Sequence, residues 1–278
     1  MKGIIYARNP NRSLDPLTRV LPSSLLPNYD EPLICRAMDT MATAGVKEII
    51  FVVGKAEIRK FPAVIEEMGK TGRWPERTFR YLLGDDDGGL LNALLRAKEY
   101  CRDESVIVVP GNIYLEADIS VAKGFEKGAL VFLKRAEAAE RILLSPRGIE
   151  QPAPTQIRSL PVLETIIEGL GVFDASVFAR VEKLDSKELP FLPLLRSYFP
   201  EERLFSAGPL NGYCLEIESY RSLFEAAELH ARTLRAFSPE LLCQGSETPY
   251  RKSQIAIYPH LDNAGLSGTG VRGRGKET

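Results

Sequence analysis

The sequence has few of the residues from which metal and disulfide sites are built. It contains two histidines and four widely separated cysteines, with no C-x-x-C pair among them. A zinc site or a disulfide framework is therefore not expected, and a reducing cytoplasm is the simplest compartment for the protein.

Long apolar runs and an excess of charge are also missing. The longest apolar runs, such as Ile49–Val53, are far too short to span a bilayer, and the apolar start Met1–Ala7 meets Arg8 at once, which is too brief for a signal-peptide core. The formal net charge is −1, so no overall field attracts nucleic acid or an anionic membrane. Neither is expected as a partner.

What is present is the composition of a globular protein, with 44% hydrophobic and 26% charged residues in a chain of 278. Short β-branched runs alternate with longer amphipathic segments, which predicts βαβ units around a mostly parallel sheet. Predicted strands are Lys2–Tyr6, Glu48–Val53, Thr78–Leu83, Ser105–Val109, Ala129–Leu133 and Gly169–Phe173. One predicted helix starts near Pro32 and ends at Gly45. The other predicted helices span Ala56–Met68, Leu90–Cys101, Ala175–Leu184 and Pro190–Phe199.

The second half of the chain is less regular. Ser145–Pro161 contains four prolines and no clean periodicity, so we interpret it as a surface excursion. Leu204–Ala207 and Tyr213–Ile217 are predicted as a closing pair of strands, followed by a helix over Glu218–Phe237. Its predicted buried face consists of Leu223, Phe224, Ala227 and Ala231. We expect one domain over residues 1–258 and a flexible tail over 259–278.

Four segments carry a family resemblance. Met1–Ala7 with Leu14–Thr18 resembles the opening M-K-G-I-I-L-A-G-G-x-G-T-R-L-x-P-L-T of the glucose-1-phosphate thymidylyltransferases. Leu25–Ile34 is similar to their L-L-P-V-Y-D-K-P-M-I, Val109–Tyr114 to L-G-D-N-I-F, and Gly212–Ile217 to G-Y-W-L-D-I. The resemblance implies a sugar-phosphate nucleotidyltransferase, with a three-layer αβα Rossmann-like fold and a mostly parallel mixed central sheet.

Members of that family join a nucleoside triphosphate to a sugar 1-phosphate and release pyrophosphate. Their chemistry needs a glycine-rich loop for the triphosphate, an arginine and a lysine for developing charge, and two aspartates for Mg²⁺. A second lysine, in an E-x-K-P-like segment, usually meets the sugar phosphate.

Most of these groups are replaced in this chain. The loop glycines are replaced by Arg8, Asn9 and Asn11, and the loop arginine is replaced by Ser13, with Arg12 one place earlier. Ser23 stands in place of the catalytic lysine, Glu31 in place of the D-K-P lysine, and Gly111 and Glu216 in place of the two aspartates. Ile157–Pro161 occupies the region of the E-x-K-P-like segment and lacks its lysine. The resemblance therefore predicts a pseudoenzyme, with no catalytic residue, metal ligand or cofactor assigned.

The candidate residues for a nucleotide or nucleotide sugar follow from the same alignment. Gly88–Ala93 resembles D-G-L-A-Q-A, which borders the nucleotide base. Arginines near the former loop could bind phosphate through their side chains. The predicted substrate-binding residues are Ala7, Arg8, Arg12, Arg19, Gly89, Asn92, Asn112 and Glu216.

Several polar or aromatic residues allow a functional and a structural interpretation. Asp85–Asp87 could be a metal or nucleotide-sugar site like the D-x-D motif of glycosyltransferases, but a solvated acidic turn before a helix is favoured. His230 is interpreted as a surface or packing residue, Cys214 as packing beneath the pocket, and Trp74 as a packing anchor that could alternatively serve a partner surface.

Three functions remain open at this point. The first is an impaired nucleotidyltransferase that binds a nucleotide or nucleotide sugar, or acts as the regulatory subunit of an active paralogue. The second is an active enzyme with a rebuilt site, in which Arg12 replaces the arginine and Asp85–Asp87 or Glu216 hold Mg²⁺. The third is a structural assembly partner whose pocket binds nothing. Self-association is expected by analogy with the family.

Overall fold

The computed structural model of the chain describes residues 1–7, 12–85, 89–134, 154–157, 166–184 and 191–237. Met1–Leu234 form one compact unit. The strands are β1 Lys2–Tyr6, β2 Pro27–Asn28, β3 Glu31–Pro32, β4 Glu48–Val53, β5 Thr78–Leu83, β6 Val106–Pro110, β7 Ile113–Ala117, β8 Ala129–Leu133, β9 Thr155–Gln156, β10 Ile166–Phe173, β11 Leu204–Ala207 and β12 Gly212–Glu216. The α-helices are α1 Ile34–Thr43, α2 Lys60–Gly69, α3 Leu90–Cys101, α4 Val177–Val181, α5 Phe191–Arg196 and α6 Tyr220–Phe237.

The main sheet has eight strands in the order β5-β4-β1-β6-β10-β8-β11-β9. Strands β5, β4, β1 and β6 run parallel to one another, whereas β10 is antiparallel to both β6 and β8. Strand β11 is parallel to β8 and antiparallel to β9. The sheet is therefore mixed and mostly parallel, as the sequence predicts.

Helices cover both faces of this sheet because its central strands are apolar on both sides. Ile5, Phe51 and Val109 pack on the side of α1 and α2. Ile4, Val52 and Val108 alternate with them and pack on the side of α3, α4 and α5. The result is a three-layer αβα Rossmann-like fold.

Two helix boundaries have clear local causes. Helix α1 is followed by Gly45 at φ +76°, the left-handed conformation that ends helices and that glycine adopts without a Cβ clash. Helix α2 begins at Lys60 and not at the predicted Ala56. Pro62 has no N–H to donate and fits only within a first turn, so the helix starts just ahead of it.

Gly169 creates an irregularity in the middle of β10. Its φ is +76°, and the register of β10 against β8 shifts between Ile166 and Gly171. A Cβ at Gly169 would lie 2.1 Å from the hydroxyl oxygen of Tyr6 and 3.0 Å from Cγ of Pro110. The buried Tyr6 side chain, at the end of β1, therefore extends into the space that this glycine leaves.

A separate two-stranded ribbon lies beside the main sheet. Strands β7 and β12 pair antiparallel, with Glu216 opposite Ile113, and Tyr114, Tyr213 and Ile217 form a third core cluster with Ala226 of α6. Glu116 accepts hydrogen bonds from the Tyr114 hydroxyl at 2.7 Å and from Thr233 Oγ1 of α6 at 2.9 Å. Helix α6 is thus held against the ribbon by apolar and polar contacts.

Several predictions are corrected here. The predicted closing pair does not pair, because β11 lies in the main sheet and β12 in the ribbon. Within the predicted surface excursion, Thr155–Gln156 forms the edge strand β9. In α6 the buried residues are Ala226 and His230, whereas Phe224 is 69% exposed. Helices α4 and α5 are shorter than predicted.

Two further predictions concern the end of the domain and membrane-spanning segments. The predicted domain boundary at residue 258 and the tail lie outside the described residues. Among the residues that are described, no helix is both long and apolar enough to cross a membrane.

Candidate functional site at the carboxyl edge of the sheet

The candidate site lies where the central parallel strands end. Ligands of open α/β sheets bind in the crevice beyond the carboxyl ends of their strands. The ladder continues one residue past these ends, since Ala7 N–H donates to Val52 O at 3.1 Å and Gly111 N–H donates to Tyr6 O at 2.8 Å. Ala7 and Gly111 are thereby fixed side by side. The backbone donor of Ala7 is already used by Val52.

The ribbon brings together, at this edge, the two positions that align with the family's metal-binding aspartates. Ile217 N–H donates to Asn112 O at 2.9 Å, and Glu216 lies opposite Ile113 in the ladder. Residues that are far apart in sequence, Gly111–Asn112 and Glu216, are therefore neighbours in the fold. The alignment that predicted this pair from sequence motifs is spatially consistent.

Gly111, the residue that aligns with the family's first metal-binding aspartate, is closely packed. A Cβ added to Gly111 would lie 3.1 Å from Ser24 Cβ, 3.2 Å from Tyr6 O and 3.3 Å from Ile34 Cδ1. These approaches are shorter than ordinary van der Waals contacts between carbon atoms. An aspartate at residue 111 would need the surrounding atoms to move.

The segment that closes this space is a short turn that contains two buried serines. Ser23–Leu25 form a 3₁₀ turn after Pro22, with Leu25 N–H donating to Pro22 O at 2.9 Å. Ser23, which aligns with the catalytic lysine, and Ser24 are buried. Small side chains allow this turn to approach the end of β6 closely, and a lysine at residue 23 would have to be accommodated in a packed environment.

Two polar atoms beside Gly111 are buried without a hydrogen-bond partner among the described residues. They are Oγ of Ser24 and Oδ1 of Asn112, whose residues are 1% and 4% exposed. An unsatisfied buried polar group typically costs about 1–3 kcal/mol. Such groups are uncommon in folded proteins and require an explanation.

The predicted base-binding residues have a different arrangement. Asn92 Oδ1 accepts from Asp85 N–H at 3.0 Å, and its Nδ2 donates to Asp85 Oδ2 at 2.5 Å. Arg96 pairs with the same carboxylate at 2.7 Å. The structure therefore gives Asn92 a role in holding the end of β5, whereas Gly89 faces open space, with no atom within 4 Å of an added Cβ.

The interpretation of the acidic cluster follows from the same contacts. Asp85 is bound by Asn92 and Arg96, which agrees with a structural turn at this residue. Asp86 and Asp87 lie outside the described residues.

The predicted arginines are only partly described. Arg8 lies outside the described residues, and Arg12 begins the 3₁₀ turn Arg12–Leu14. Arg19 is exposed and pairs through Nε with Asp15 Oδ2 at 3.0 Å. Of this group, Arg19 has a described, exposed side chain, and its role as a phosphate contact stays a prediction.

Comparison with known proteins agrees with this geometry. A family profile described as nucleotidyl transferase matches residues 9–140. A glucose-1-phosphate thymidylyltransferase from Neisseria meningitidis is 25% identical over 238 residues, covering 82% of this chain and 81% of the relative. One from Xanthomonas campestris pv. campestris is 28% identical over 241 residues, covering 81% of this chain and 79% of the relative. The chain is therefore similar to the sugar-phosphate nucleotidyltransferases over most of its length.

A solved structure supports the fold of this chain. UDP-glucose pyrophosphorylase complexed with UDP-glucose aligns with a TM-score of 0.65 at 18% identity, covering 84% of this chain and 98% of that chain. At this identity the likeness concerns the architecture alone.

The chain has a buried ion cluster at the position that aligns with the family's D-K-P lysine. Glu31 is buried and pairs with Arg36, whose Nε lies 2.8 Å from Glu31 Oε1, and with Arg73. Arg73 Nε also donates to Asp39 Oδ1 at 3.0 Å. A lysine at residue 31 would face two arginines, so this cluster requires an acidic side chain at that position. Sequence reasoning missed Arg36 and Arg73, since neither lies in a motif that it compared.

The cluster extends to two residues that were interpreted as packing groups. Trp74 is buried, and its Nε1–H donates to Asp39 Oδ1 at 3.1 Å, which confirms a packing anchor. His230 is 2% exposed, and Arg36 donates to its Nδ1 at 2.6 Å. The guanidinium can only donate to this ring, and the other ring nitrogen, Nε2, lies 2.9 Å from Asp30 Oδ1.

The remaining candidate, Cys214, has no nucleophilic character. Burial raises the pKa of its thiol to about 12, so the unreactive thiol form predominates at neutral pH. The prediction that Cys214 is a packing residue agrees with this.

The family's Mg²⁺ does not fit the residues of this site. Gly111 supplies no ligand atom from its side chain, and the space next to it is filled by Ser24 and Ile34. Glu216 would be the single carboxylate left from the aligned pair, and a lone carboxylate binds Mg²⁺ poorly. Within the described ranges, no group of three His, Cys, Asp or Glu side chains could hold a metal ion.

Proposed function

We propose that this chain is a catalytically impaired sugar-phosphate nucleotidyltransferase that binds a nucleotide or nucleotide sugar at the carboxyl edge of its sheet, or that serves as the regulatory subunit of an active paralogue. The packing of Gly111 against Ser24 carries this proposal. It removes the space for the first metal-binding carboxylate. Loss of one preorganised charge-stabilising group typically costs about 10²–10³ in rate, and several are replaced here.

The ligand class is supported by the relatives. Two of them are named as glucose-1-phosphate thymidylyltransferases, and a protein of the same fold is complexed with UDP-glucose. Ala7, Asn112 and Glu216 meet at the edge where such a ligand would lie. We therefore expect UDP-glucose and dTDP-glucose to be suitable first probes, with Ala7, Arg19, Gly89, Asn112 and Glu216 as proposed contacts.

The test combines turnover and binding. Pyrophosphate release would be measured with each nucleoside triphosphate and glucose 1-phosphate in the presence of Mg²⁺, with the Neisseria meningitidis relative as the positive control. We expect no release above background from this chain. Isothermal titration with the two nucleotide sugars should nevertheless detect binding. Release at the rate of the control would refute the impairment, and absence of binding would refute the ligand assignment.

A second candidate function is that of an assembly partner. Helix α6 exposes Tyr220 and Phe224 one turn apart, and the Tyr220 hydroxyl donates to Asp15 O at 2.8 Å. The nearby segment after Asp15 exposes Val20 as well. Exposed aromatic side chains grouped in this way often mark protein interfaces. Light scattering after size-exclusion chromatography would measure self-association. A monomer at all concentrations would refute self-association through this surface, which could then serve only a different protein.

A further inference from the structure

Strand β5 is an edge strand of the main sheet without the features that usually protect such an edge. Among the described residues it pairs with β4 alone, whereas the opposite edge ends in the two-residue β9. Natural proteins blunt exposed edges with short strands, prolines, bulges or charges, because unpaired N–H and C=O groups attract another strand. Strand β5 is six residues long, contains no proline or glycine, and keeps an unbroken register with β4. This edge is therefore suited to pairing with a further strand.

The one charged side chain of β5 is held over its own sheet. Arg80 Nε lies 3.6 Å from Glu48 Oε1 on β4. The Arg80 guanidinium also lies 4.7 Å from the centroid of the Tyr100 ring in α3. These contacts keep the charge on the α3 side of the sheet and away from the row of backbone groups at the edge.

The backbone groups of alternate residues of β5 point outward. Thr78, at the start of β5, and Gly84, just after its end, each donate an N–H bond of 2.9 Å to a backbone oxygen on the β4 side. The even-numbered residues are therefore bonded to β4. Because the direction of the backbone groups alternates along a strand in a parallel ladder, the N–H and C=O groups of Phe79, Tyr81 and Leu83 face away from β4.

The side chains of these outward-bonding residues are large and apolar. Phe79 and Tyr81 pack on Phe51, with ring centroids 6.1 and 5.2 Å apart, and both remain partly exposed. Leu83 lies on the same face by strand alternation and is 48% exposed. Covering such apolar surface at a free sheet edge is favourable.

We propose that β5 pairs antiparallel with β5 of a second copy of this chain around a two-fold axis at Tyr81, so that the two main sheets form one continuous sheet. The inference goes beyond the proposed function, because it depends neither on nucleotide binding nor on the exposed surface of α6. In this register Tyr81 is opposite Tyr81 of the second copy, and Phe79 is opposite Leu83. Their outward N–H and C=O groups then bond to each other in reciprocal pairs, as in an antiparallel ladder, and the contact is the same on both copies.

Charge selects this register over the neighbouring ones. A two-fold axis at Arg80 would place two arginines directly opposite each other, and like charges in that position are destabilising. An axis at Leu82 would leave the start of the strand unpaired. With the axis at Tyr81, Arg80 is opposite Leu82, and Arg77 is opposite Asp85, which carries the opposite charge. The Tyr81 pair at the centre adds an aromatic contact.

The experiment is analytical ultracentrifugation of the full chain that carries Phe224→Asp, so that association through α6 does not contribute. We expect a dimer that dissociates on dilution. Leu83→Pro removes an outward N–H and leaves the ladder to β4 intact. Because symmetry then removes two hydrogen bonds, the dimer Kd should rise by about 10- to 100-fold. Leu83→Val keeps the N–H and an apolar side chain, so this matched control should change Kd by less than about threefold.

Substitution of Tyr81 tests the register. Tyr81→Lys and Tyr81→Glu each place like charges opposite each other at the axis. Each variant alone should therefore be monomeric at concentrations where the parent is a dimer, whereas an equimolar mixture should dimerise. Rescue by mixing requires Tyr81 to face itself, and it cannot result from loss of the fold.

Amide hydrogen exchange provides an independent readout. In the dimer the amides of Phe79, Tyr81 and Leu83 should be protected, and dilution should accelerate their exchange. The amides of Arg80 and Leu82 should change little, because their N–H groups bond to β4 in both states.

Two results would overturn the inference. A Phe224→Asp chain that stays monomeric at the highest concentration measured would refute pairing through β5. A dimer that Leu83→Pro leaves unchanged, or that mixing of the Tyr81 variants does not restore, must use another surface. Neither result affects the proposed function, since isothermal titration measures nucleotide-sugar binding separately.

Discussion

Substitution of Gly111 tests the packing on which the proposed loss of catalysis depends. In Gly111→Ala the new Cβ would lie 3.1–3.3 Å from three atoms, of which Ser24 Cβ is the nearest and Tyr6 O belongs to the backbone of β1. Overpacking of a closely packed site typically costs about 1–3 kcal/mol. Gly111→Asp adds a carboxylate that faces the Tyr6 carbonyl oxygen, so we expect it to be more destabilising than Gly111→Ala.

Urea denaturation would measure the free energy of unfolding of both variants. At about 2–4 °C per kcal/mol for a chain of this size, thermal melting should show the same order. Gly69→Ala, at the last residue of α2, is the matched control, since no described atom lies within 4 Å of its added Cβ, and it should leave stability unchanged or raise it by up to about 1 kcal/mol. Pyrophosphate release should stay at background in Gly111→Asp.

Two results would refute this reasoning. Gly111→Ala that is as stable as Gly69→Ala would show that the turn at Ser24 does not restrict the site. Pyrophosphate release by Gly111→Asp would show that the carboxylate alone was missing. If the packing is correct, Ser24→Gly should recover about 0.5–1 kcal/mol of the loss in Gly111→Ala, because the two positions are in contact.

Three other predictions concern charge, surface and pH. Glu31→Lys places a buried lysine against Arg36 and Arg73 and should lower the free energy of unfolding, measured by urea denaturation, by about 3–5 kcal/mol. Glu67→Lys, at an exposed position, is the control. Equal stability of the two variants would contradict the ion cluster. Phe224→Asp should shift the chain toward monomer in light scattering, whereas Leu95→Asp, exposed on α3, should not. Burial raises the pKa of Cys101 to about 12. Since the unfolded thiol then loses its proton at lower pH than the folded one, stability should fall as pH rises above about 9. Cys101→Ala should lessen this slope in denaturation curves, and an unchanged slope would count against the thiol as its source.

The sequence predicts most strands of the main sheet well because these are short apolar runs bounded by turn residues, unlike the edge strand β9. Lys2–Tyr6, Glu48–Val53, Thr78–Leu83 and Ala129–Leu133 are confirmed with the same bounds. Their local patterns contain the information needed. Strand β7 was not predicted as a strand, because it follows the Pro110-Gly111 turn directly and its existence depends on pairing with β12, which lies far along the chain.

The face of α6 was misassigned for a related reason. Leu223 and Phe224 are adjacent apolar residues, and the helix has more apolar positions than one face can hold. Burial is decided by partners from other elements, since Arg36 of α1 bonds to His230 and Glu116 of β7 bonds to Thr233. Such side-chain partners from other elements do not appear in helical periodicity.

The sequence motifs predicted where the candidate site lies, but they did not predict how its residues pack. Alignment of Gly111 and Glu216 with the family's aspartates places both at one edge of the sheet, and the ladder between β7 and β12 agrees with this. Alignment cannot reveal that Ser24 packs on Gly111 or that Asn92 is used by Asp85. Both are contacts between elements, and each depends on how closely two backbones approach.

The β7–β12 ribbon has a consequence for the order in which the protein folds. Gly111 is bonded to β1, whereas Asn112 is bonded to Ile217, about a hundred residues later in the chain. The parallel strands β1, β4 and β6 can associate once the first part of the chain has been synthesised, but the binding edge requires a long loop to close. The protein should therefore acquire its core early and its binding competence as one of the last steps of folding, after the ribosome has released the segment that carries β12.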